Sequence, residues 1–177
     1  ERLLAIGALC NDATADEGDP TEQALVRAAE RHGIDVERRR AEAPRTDEVP
    51  FSADRKWMGT VHEDVGYVKG APQVVLDNAD RVLTADGPVA LDESRRDRIR
   101  ETVDGFADDA LRVLAVAFTE DTESLDDGLV FVGLVGMIDP PREAVAEAIA
   151  ASERAGIAVK MVTGDNARTA RAIAPEI

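Results

Sequence analysis

The run Trp57-Met58-Gly59-Thr60-Val61-His62-Glu63-Asp64-Val65-Gly66-Tyr67-Val68 decides the fold. Its first half has the β-branched and aromatic content of a strand, Asp64-Val65-Gly66 makes a turn, and Tyr67-Val68 resumes strand character. A β-hairpin is the expected product. It is entered through Phe51-Ser52-Ala53-Asp54-Arg55-Lys56 and left through Lys69-Gly70-Ala71-Pro72. An aromatic face stacks on a nucleobase for roughly 1–3 kcal/mol per base. A lysine supplies a point charge for phosphate, and a glycine admits a ligand to the backbone because no Cβ stands in the way. This local chemistry suits a nucleotide. A plainer reading of the same residues stays open, with Phe51 in the core, Lys56 and Lys69 as surface charges and Gly70 as a strand-end turn.

Composition narrows the function classes. The net charge of −15 disfavours nucleic-acid binding, since phosphate is repelled. Lysine occurs only at Lys56, Lys69 and Lys160, so two of the three lie in the runs that flank the hairpin. The excess of carboxylates is of the kind that maintains solubility in high salt. At 177 residues the chain can form one domain, or one domain and part of another. Its 44% hydrophobic content supports a packed core, and with only 3% aromatics that core must be built from Ala, Val, Leu and Ile. The longest apolar run, residues 129–138, falls far short of the roughly 20 residues of a membrane helix. No signal-peptide pattern opens the sequence. The single Cys10 excludes an internal disulfide and a cysteine-rich metal site.

Around the hairpin, residues 1–10 read as an apolar helix and residues 11–18 as a polar, mobile loop. Asp19 caps a helix with Pro20 at its first position, Glu22 three residues after the cap, and Ala24, Leu25, Ala28 and Ala29 as the buried stripe; Gly33 ends it. Residues 34–48 read as charged and irregular, with Arg38-Arg39-Arg40 as a solvated face. Residues 73–77 suit a short helix, and Asp86-Gly87 marks a turn. Asp92 caps a helix over residues 93–109 with Ile99, Val103 and Phe106 inward. A buried strand over residues 112–118, an acidic loop over 119–128 and an apolar strand over 129–138 follow. Asp139-Pro140 then caps a helix over residues 143–155, ended by Gly156. A short buried strand over residues 158–162 carries Thr163-Gly164-Asp165 at its carboxyl end. Strand, helix, strand and helix at these lengths form the βαβ pattern of a parallel sheet, whose ligands bind at the carboxyl ends of strands.

The paired runs Phe51-x-x-x-x-Lys56 and Lys69-Gly70-Ala71-Pro72 resemble the nucleotide-binding domain of P-type cation-transporting ATPases, in its calcium or sodium/potassium-like branch. Three further runs, in family order, resemble the same family: Gly18-Asp19-Pro20-Thr21-Glu22, Arg112-Val113-Leu114-Ala115, and Asp139-Pro140-Pro141-Arg142 followed by Met161-Val162-Thr163-Gly164-Asp165-Asn166. The matches spread from about Leu9 to the C-terminus. The resemblance implies ATP, as Mg-ATP, held by Glu22, Phe51, Ser52, Lys56, Met58, Lys69, Gly70, Ala71, Arg112 and Leu114. Glu22 would face the adenine amino group, Leu114 would lie under the base, and Arg112 would reach the phosphates. Asp139, Pro140, Pro141 and Arg142 would form a hinge, and Thr163, Gly164 and Asp165 would face the phosphoryl group. Glu22 is equally explained as a capping-box residue, and Arg112 as a strand-end cation. The chain departs from the family at Gln73, usually Glu, and at Ala53, an Arg in calcium pumps. The second departure puts one phosphate contact in doubt, which Arg55 could replace.

The family's phosphorylated Asp-Lys-Thr-Gly-Thr run is absent and by family order falls before residue 1; its magnesium-holding Gly-Asp-Gly run falls after residue 177. The resemblance therefore implies an excised cytoplasmic piece of an integral membrane pump. It would comprise a nucleotide-binding domain over residues 1–137 and a partial phosphorylation domain over residues 138–177, with no complete catalytic set and no turnover of its own. Its partners would be ATP and the remaining phosphorylation, actuator and transmembrane domains, with no nucleic acid and no direct membrane insertion. The expected fold is α/β: a twisted, mostly antiparallel sheet flanked by helices, then a partial βαβ unit of a haloacid-dehalogenase-like domain. A P-loop and a dinucleotide fingerprint are both missing. Two alternatives remain. One is a free-standing haloacid-dehalogenase-type phosphohydrolase, opposed by Pro141 where its second Asp belongs. The other is an acidic interaction module without nucleotide binding.

Overall fold

Residues 1–138 and 144–160 are described by the computed structural model. The expected hairpin is present as β2 (Trp57–His62) and β3 (Val65–Gly70), paired antiparallel from Trp57 opposite Gly70 to His62 opposite Val65. Its turn is tighter than the sequence reading, because Val65 and Gly66 belong to the strand. Glu63 takes the left-handed turn conformation at φ 49°. Gly66 is needed inside β3, since a β-carbon there would lie 2.3 Å from Leu125 Cδ2.

The hairpin sits within a seven-stranded sheet of order β1-β2-β3-β6-β7-β4-β5. Its other strands are β1 (Asp47–Val49), β4 (Ala79–Thr84), β5 (Gly87–Ala90), β6 (Arg112–Thr119) and β7 (Leu129–Met137). β1 with β2, β2 with β3, β3 with β6, and β4 with β5 are antiparallel; β4 with β7 is parallel. The fold is therefore α/β with a mostly antiparallel sheet flanked by helices, as expected.

Alternation along the strands assigns each side chain to a face. On one face, Trp57, Val61, Val68, Ala115, Ala117 and Phe131 form the main core with Val75 and Leu76 of α4 (Pro72–Asp77), and Ile99 of α5 (Glu93–Asp108) packs against it. On the other, Ile6 of α1 (Arg2–Leu9) packs with Val116, Phe118 and Val130. The helices α2 (Pro20–Arg31) and α3 (Val36–Glu42) stack on α1 through Ala8, Val26, Ala29, Ile34 and Val36. Each fully buried Val, Leu or Ile contributes about 1.5–3 kcal/mol, so the residues that anchor α1 and α2 also fix the polar side chains between them and the sheet.

Local chemistry explains the helix ends. Asp19 accepts hydrogen bonds from the Thr21 and Glu22 amides, with Pro20 at the first helical position. Asp92 accepts from the Arg95 amide at 2.9 Å. Gly33 follows α2 at φ 79°.

Three of the segments read from sequence take a different form. Residues 34–48 are not irregular, since they contain α3, capped by Asp35, and the edge strand β1. Arg40 is not merely solvated; its Nη2 donates to the carbonyls of Ala8, Asn11 and Ala13 at 2.8–3.4 Å. Those bonds, with Asn11 and Ala13 buried, pin a loop expected to be mobile. Residues 158–160 are exposed and form no strand, because no described strand pairs with them to supply a hydrogen-bonding ladder.

Two compact units divide the chain. The first holds residues 1–100 and 114–135; the second holds residues 101–113 and the described residues from Gly136 onward. Within the second, Leu111 N–H closes the end of α5 onto the Phe106 carbonyl at 2.9 Å, and Gly136 lies against Leu111 and Phe106. The helix α6 (Ala144–Arg154) ends at Gly156, φ 77°.

Candidate functional site

The segment before β2 folds into a closed turn. Lys56 N–H donates to the Ser52 carbonyl at 2.7 Å, and Arg55 N–H donates to the Ser52 hydroxyl at 3.3 Å. Lys56 ends the turn in the left-handed region at φ 60°, a conformation that a non-glycine residue holds only when its surroundings impose it. Phe51, which opens the turn, is 63% exposed. The plain reading of Phe51 as core is thereby excluded. Arg55, the proposed replacement for the missing arginine, donates from Nη2 to the Pro50 carbonyl at 2.6 Å, and its guanidinium lies 5.7 Å from the Trp57 ring centre. Its charge stays with its own turn.

Lys69 is not a surface charge. It is 5% exposed, and its Nζ bonds Glu22 Oε1 at 2.5 Å. Lys69 stands opposite Met58 on β2 and Val116 on β6, so the pleat aims it at the α1–α2 side of the sheet. Glu22 projects toward it from the first turn of α2. Its side chain does not reach back to the Asp19 amide as a capping box requires. Instead, Glu22 Oε2 accepts the Asp12 N–H at 3.2 Å. The cap of α2 is made by Asp19 alone, which leaves the Glu22 carboxylate to Lys69 and the loop.

Beneath this pair lies a chain of polar groups absent from the sequence reading. Cys10 is fully buried, with its Sγ 3.5 Å from the Tyr67 carbonyl oxygen. Burial pushes its thiol up to about 11, opposed by the Lys69 charge and a hydrogen bond with Thr60. Thr60 Oγ1 lies 2.9 Å from His62 Nε2, and His62 Nδ1 lies 2.8 Å from the Ala43 carbonyl oxygen. Burial lowers the His62 pKa, the Ala43 hydrogen bond opposes this, and the Arg45 charge adds to the lowering. Arg45 itself pairs with Asp12 at 2.6 Å and Glu48 at 2.5 Å. Period-2 alternation places Thr60 and His62 on the Lys69 face; the tertiary approach of the residue 43–45 segment supplies the Ala43 carbonyl and the Arg45 charge beside His62.

Met58 is buried beside Lys69. Gly70 pairs with Trp57 and with Ala115, and Ala71, which follows it, is the N-terminal flank of α4. Leu114, half-buried, precedes Ala115 on β6, and Arg112 is an exposed residue at the start of that strand, in the second unit. The proposed hinge residues Asp139, Pro140, Pro141 and Arg142, and the proposed phosphoryl-facing residues Thr163, Gly164 and Asp165, lie outside the described residues. Two surface cavities, of about 260 and 270 Å³, adjoin the turn and the polar chain: one is lined by β1, Arg55, Trp57 and residues 122–126, the other by Leu9, Asn11, Asp12, Arg40, Ala43, Arg45 and His62. Among the described residues, no cluster of His, Cys, Asp and Glu could hold a metal, and no helix is long and apolar enough to cross a membrane.

Known proteins match this sequence along nearly its whole length. The chain is 39% identical over 194 residues to a cation-transporting ATPase of Synechocystis sp., covering 98% of the chain and 21% of that relative. It is 38% identical over 192 residues to a calcium-transporting ATPase of Lactococcus lactis, covering 99% of the chain and 22% of that relative. It is also 38% identical over 194 residues to the probable cation-transporting ATPase F of Mycobacterium tuberculosis, covering 98% and 21%. The chain thus spans about a fifth of the length of these curated relatives. The family model described as the P-type ATPase cytoplasmic domain N matches residues 1–144. The chain belongs to that family of P-type ATPase N domains.

Proposed function

We propose that this chain binds ATP for a cation-transporting P-type pump and presents the γ-phosphate to an aspartate outside residues 1–177. The observation that carries the reading is Phe51. In a sequence with only 3% aromatics, this ring is 63% exposed at the head of a hydrogen-bonded turn that ends in exposed Lys56. A large exposed apolar side chain beside a cation suits a ligand with a flat π-face and a negative tail.

The residues divide the work by their chemistry. Phe51 offers its face to adenine, and Leu114 offers apolar contact from β6. Glu22 accepts from the exocyclic amino group, while Lys69 acts through Glu22 rather than on phosphate. Lys56 and Arg112 are exposed cations for the phosphates, which arrive as Mg-ATP with most of the metal's ligands outside this chain. Ser52, Gly70 and Ala71 shape the backbone that carries Phe51 and Lys56. Transfer itself is positioning and electrostatic stabilisation. In the whole pump, the phosphorylation, actuator and transmembrane domains are the partners, this part stands on the cytoplasmic side, and residues 139–142 form the hinge with 163–165 facing the phosphoryl group.

Binding of ATP by the chain, and its weakening in Phe51→Ala, tests the reading. A folded protein that ignores ATP contradicts it.

A further inference from the structure

Glu22 is held at three points, two on its carboxylate and one on its backbone carbonyl, and two of the three donors belong to one loop. Lys69 Nζ takes Oε1, the Asp12 amide takes Oε2, and Asn11 Nδ2 donates to the Glu22 backbone carbonyl at 3.0 Å. Asn11 is 2% exposed, and every polar atom of its side chain is in use. Nδ2 also donates to the Gly7 carbonyl at 3.2 Å, and Oδ1 accepts the Ala13 N–H at 2.8 Å. This pattern fixes the amide orientation, because a reversed amide would set its oxygen against two carbonyl oxygens. Asn11 thereby ties the end of α1, the loop and the first turn of α2 together at one point. The loop is braced from behind: the Asn11 carbonyl accepts from Arg45 Nη2 at 2.7 Å, and Arg45 Nη1 pairs with Asp12.

We infer that Asn11 is a positioning residue for Glu22, fixing where its carboxylate meets a ligand and so setting selectivity for a base with an exocyclic amino group. The inference rests on the nucleotide reading above. A carboxylate has about four lone-pair sites, and the Lys69 and Asp12 bonds occupy two. The free sites point where the two donors leave room, so their direction is set by the loop that carries the Asp12 amide. A carboxylate held in this way accepts from the amino group of adenine and opposes the oxygen that inosine carries in its place. A site built around such a bond rejects the analogue that cannot make it. If the carboxylate is free to swing, it contacts either base through water and the preference falls.

The test compares ATP and inosine triphosphate binding to this chain, in wild type, Asn11→Asp, Asn11→Ser and Phe51→Ala. Asn11→Asp keeps the shape but sets oxygen against the Gly7 and Glu22 carbonyls; Asn11→Ser covers the case in which that variant does not fold. Wild type should prefer ATP by about tenfold or more, the scale of a hydrogen bond to a charged group. The folded Asn11 variant should bring the ratio close to one, while Phe51→Ala weakens both nucleotides and keeps the ratio. An unchanged ratio in a folded Asn11 variant overturns the inference. A second readout needs no nucleotide: the Lys69 ammonium ¹⁵N signal, protected from exchange by its bond to Glu22. Its loss in the Asn11 variant supports the positioning role even if wild type binds neither nucleotide, in which case the nucleotide reading alone fails. Its persistence there overturns the positioning role.

Discussion

The carbonyl of Lys56 occupies the place where a side chain on residue 70 would begin. A β-carbon on Gly70 would lie 2.6 Å from the Lys56 carbonyl oxygen and 2.5 Å from Trp57 Cβ, and the same carbonyl accepts the Ala71 N–H at 2.9 Å. The room that Gly70 leaves is filled by the chain's own backbone, which in turn holds Lys56 at its left-handed φ. Gly70→Ala must displace the Lys56–Trp57 backbone and should cost about 1–3 kcal/mol in urea unfolding. Gly105→Ala is the control. Gly105 is an exposed α5 residue with nothing near its β-carbon position, so the change should stabilise by about 0.5–1 kcal/mol. Equal effects at the two positions would contradict the packing described here.

The Lys69–Glu22 pair is a buried ion pair, and such pairs are costly to break from one side. Glu22→Ala should destabilise by about 3 kcal/mol, the low end of that range, because 16% of the Glu22 side chain remains exposed. Adding Lys69→Met removes the orphaned charge and should recover much of the loss. Additive losses in the double-mutant cycle would show that the pair is not coupled.

His62 gives the stability a pH dependence. Its folded-state pKa is depressed, chiefly by burial, so the folded protein resists protonation that the unfolded chain accepts. Its contribution to stability is complete above the ordinary imidazole value of about 6.5 and is lost as pH falls from there toward the lowered folded value. Unfolding free energies between pH 7.5 and 5.5 should therefore fall, and His62→Gln should flatten the slope whatever it does to the absolute stability. A slope unchanged in His62→Gln would assign the effect to other groups.

Much of this was legible in the sequence because it rests on local rules. The β2–β3 hairpin follows from alternation and turn residues, and α2 from Asp19-Pro20. What escaped depends on partners distant in sequence. Arg40 looks like one of three solvated arginines until the chain brings it to the carbonyls of Ala8, Asn11 and Ala13. β1 is three residues long and polar, and β5 only four residues long, and both lie at sheet edges, so periodicity carries no signal for them. Glu22 was open between a cap and a ligand contact, and its bond to Lys69 lies 47 residues away in sequence. At Gly70 the need for a missing β-carbon was readable, but not that Lys56 is what fills the space.

The nucleotide claim is tested most directly by calorimetric titration of ATP into the chain, beside Phe51→Ala, at defined salt. Phe51 is exposed, so its removal should leave the fold intact; its stacking should be worth roughly 1–3 kcal/mol of binding. Saturable binding by wild type, weakened by that amount in the variant, is the expected result. Saturable binding that Phe51→Ala leaves unchanged, or no binding by a folded wild type, would contradict it.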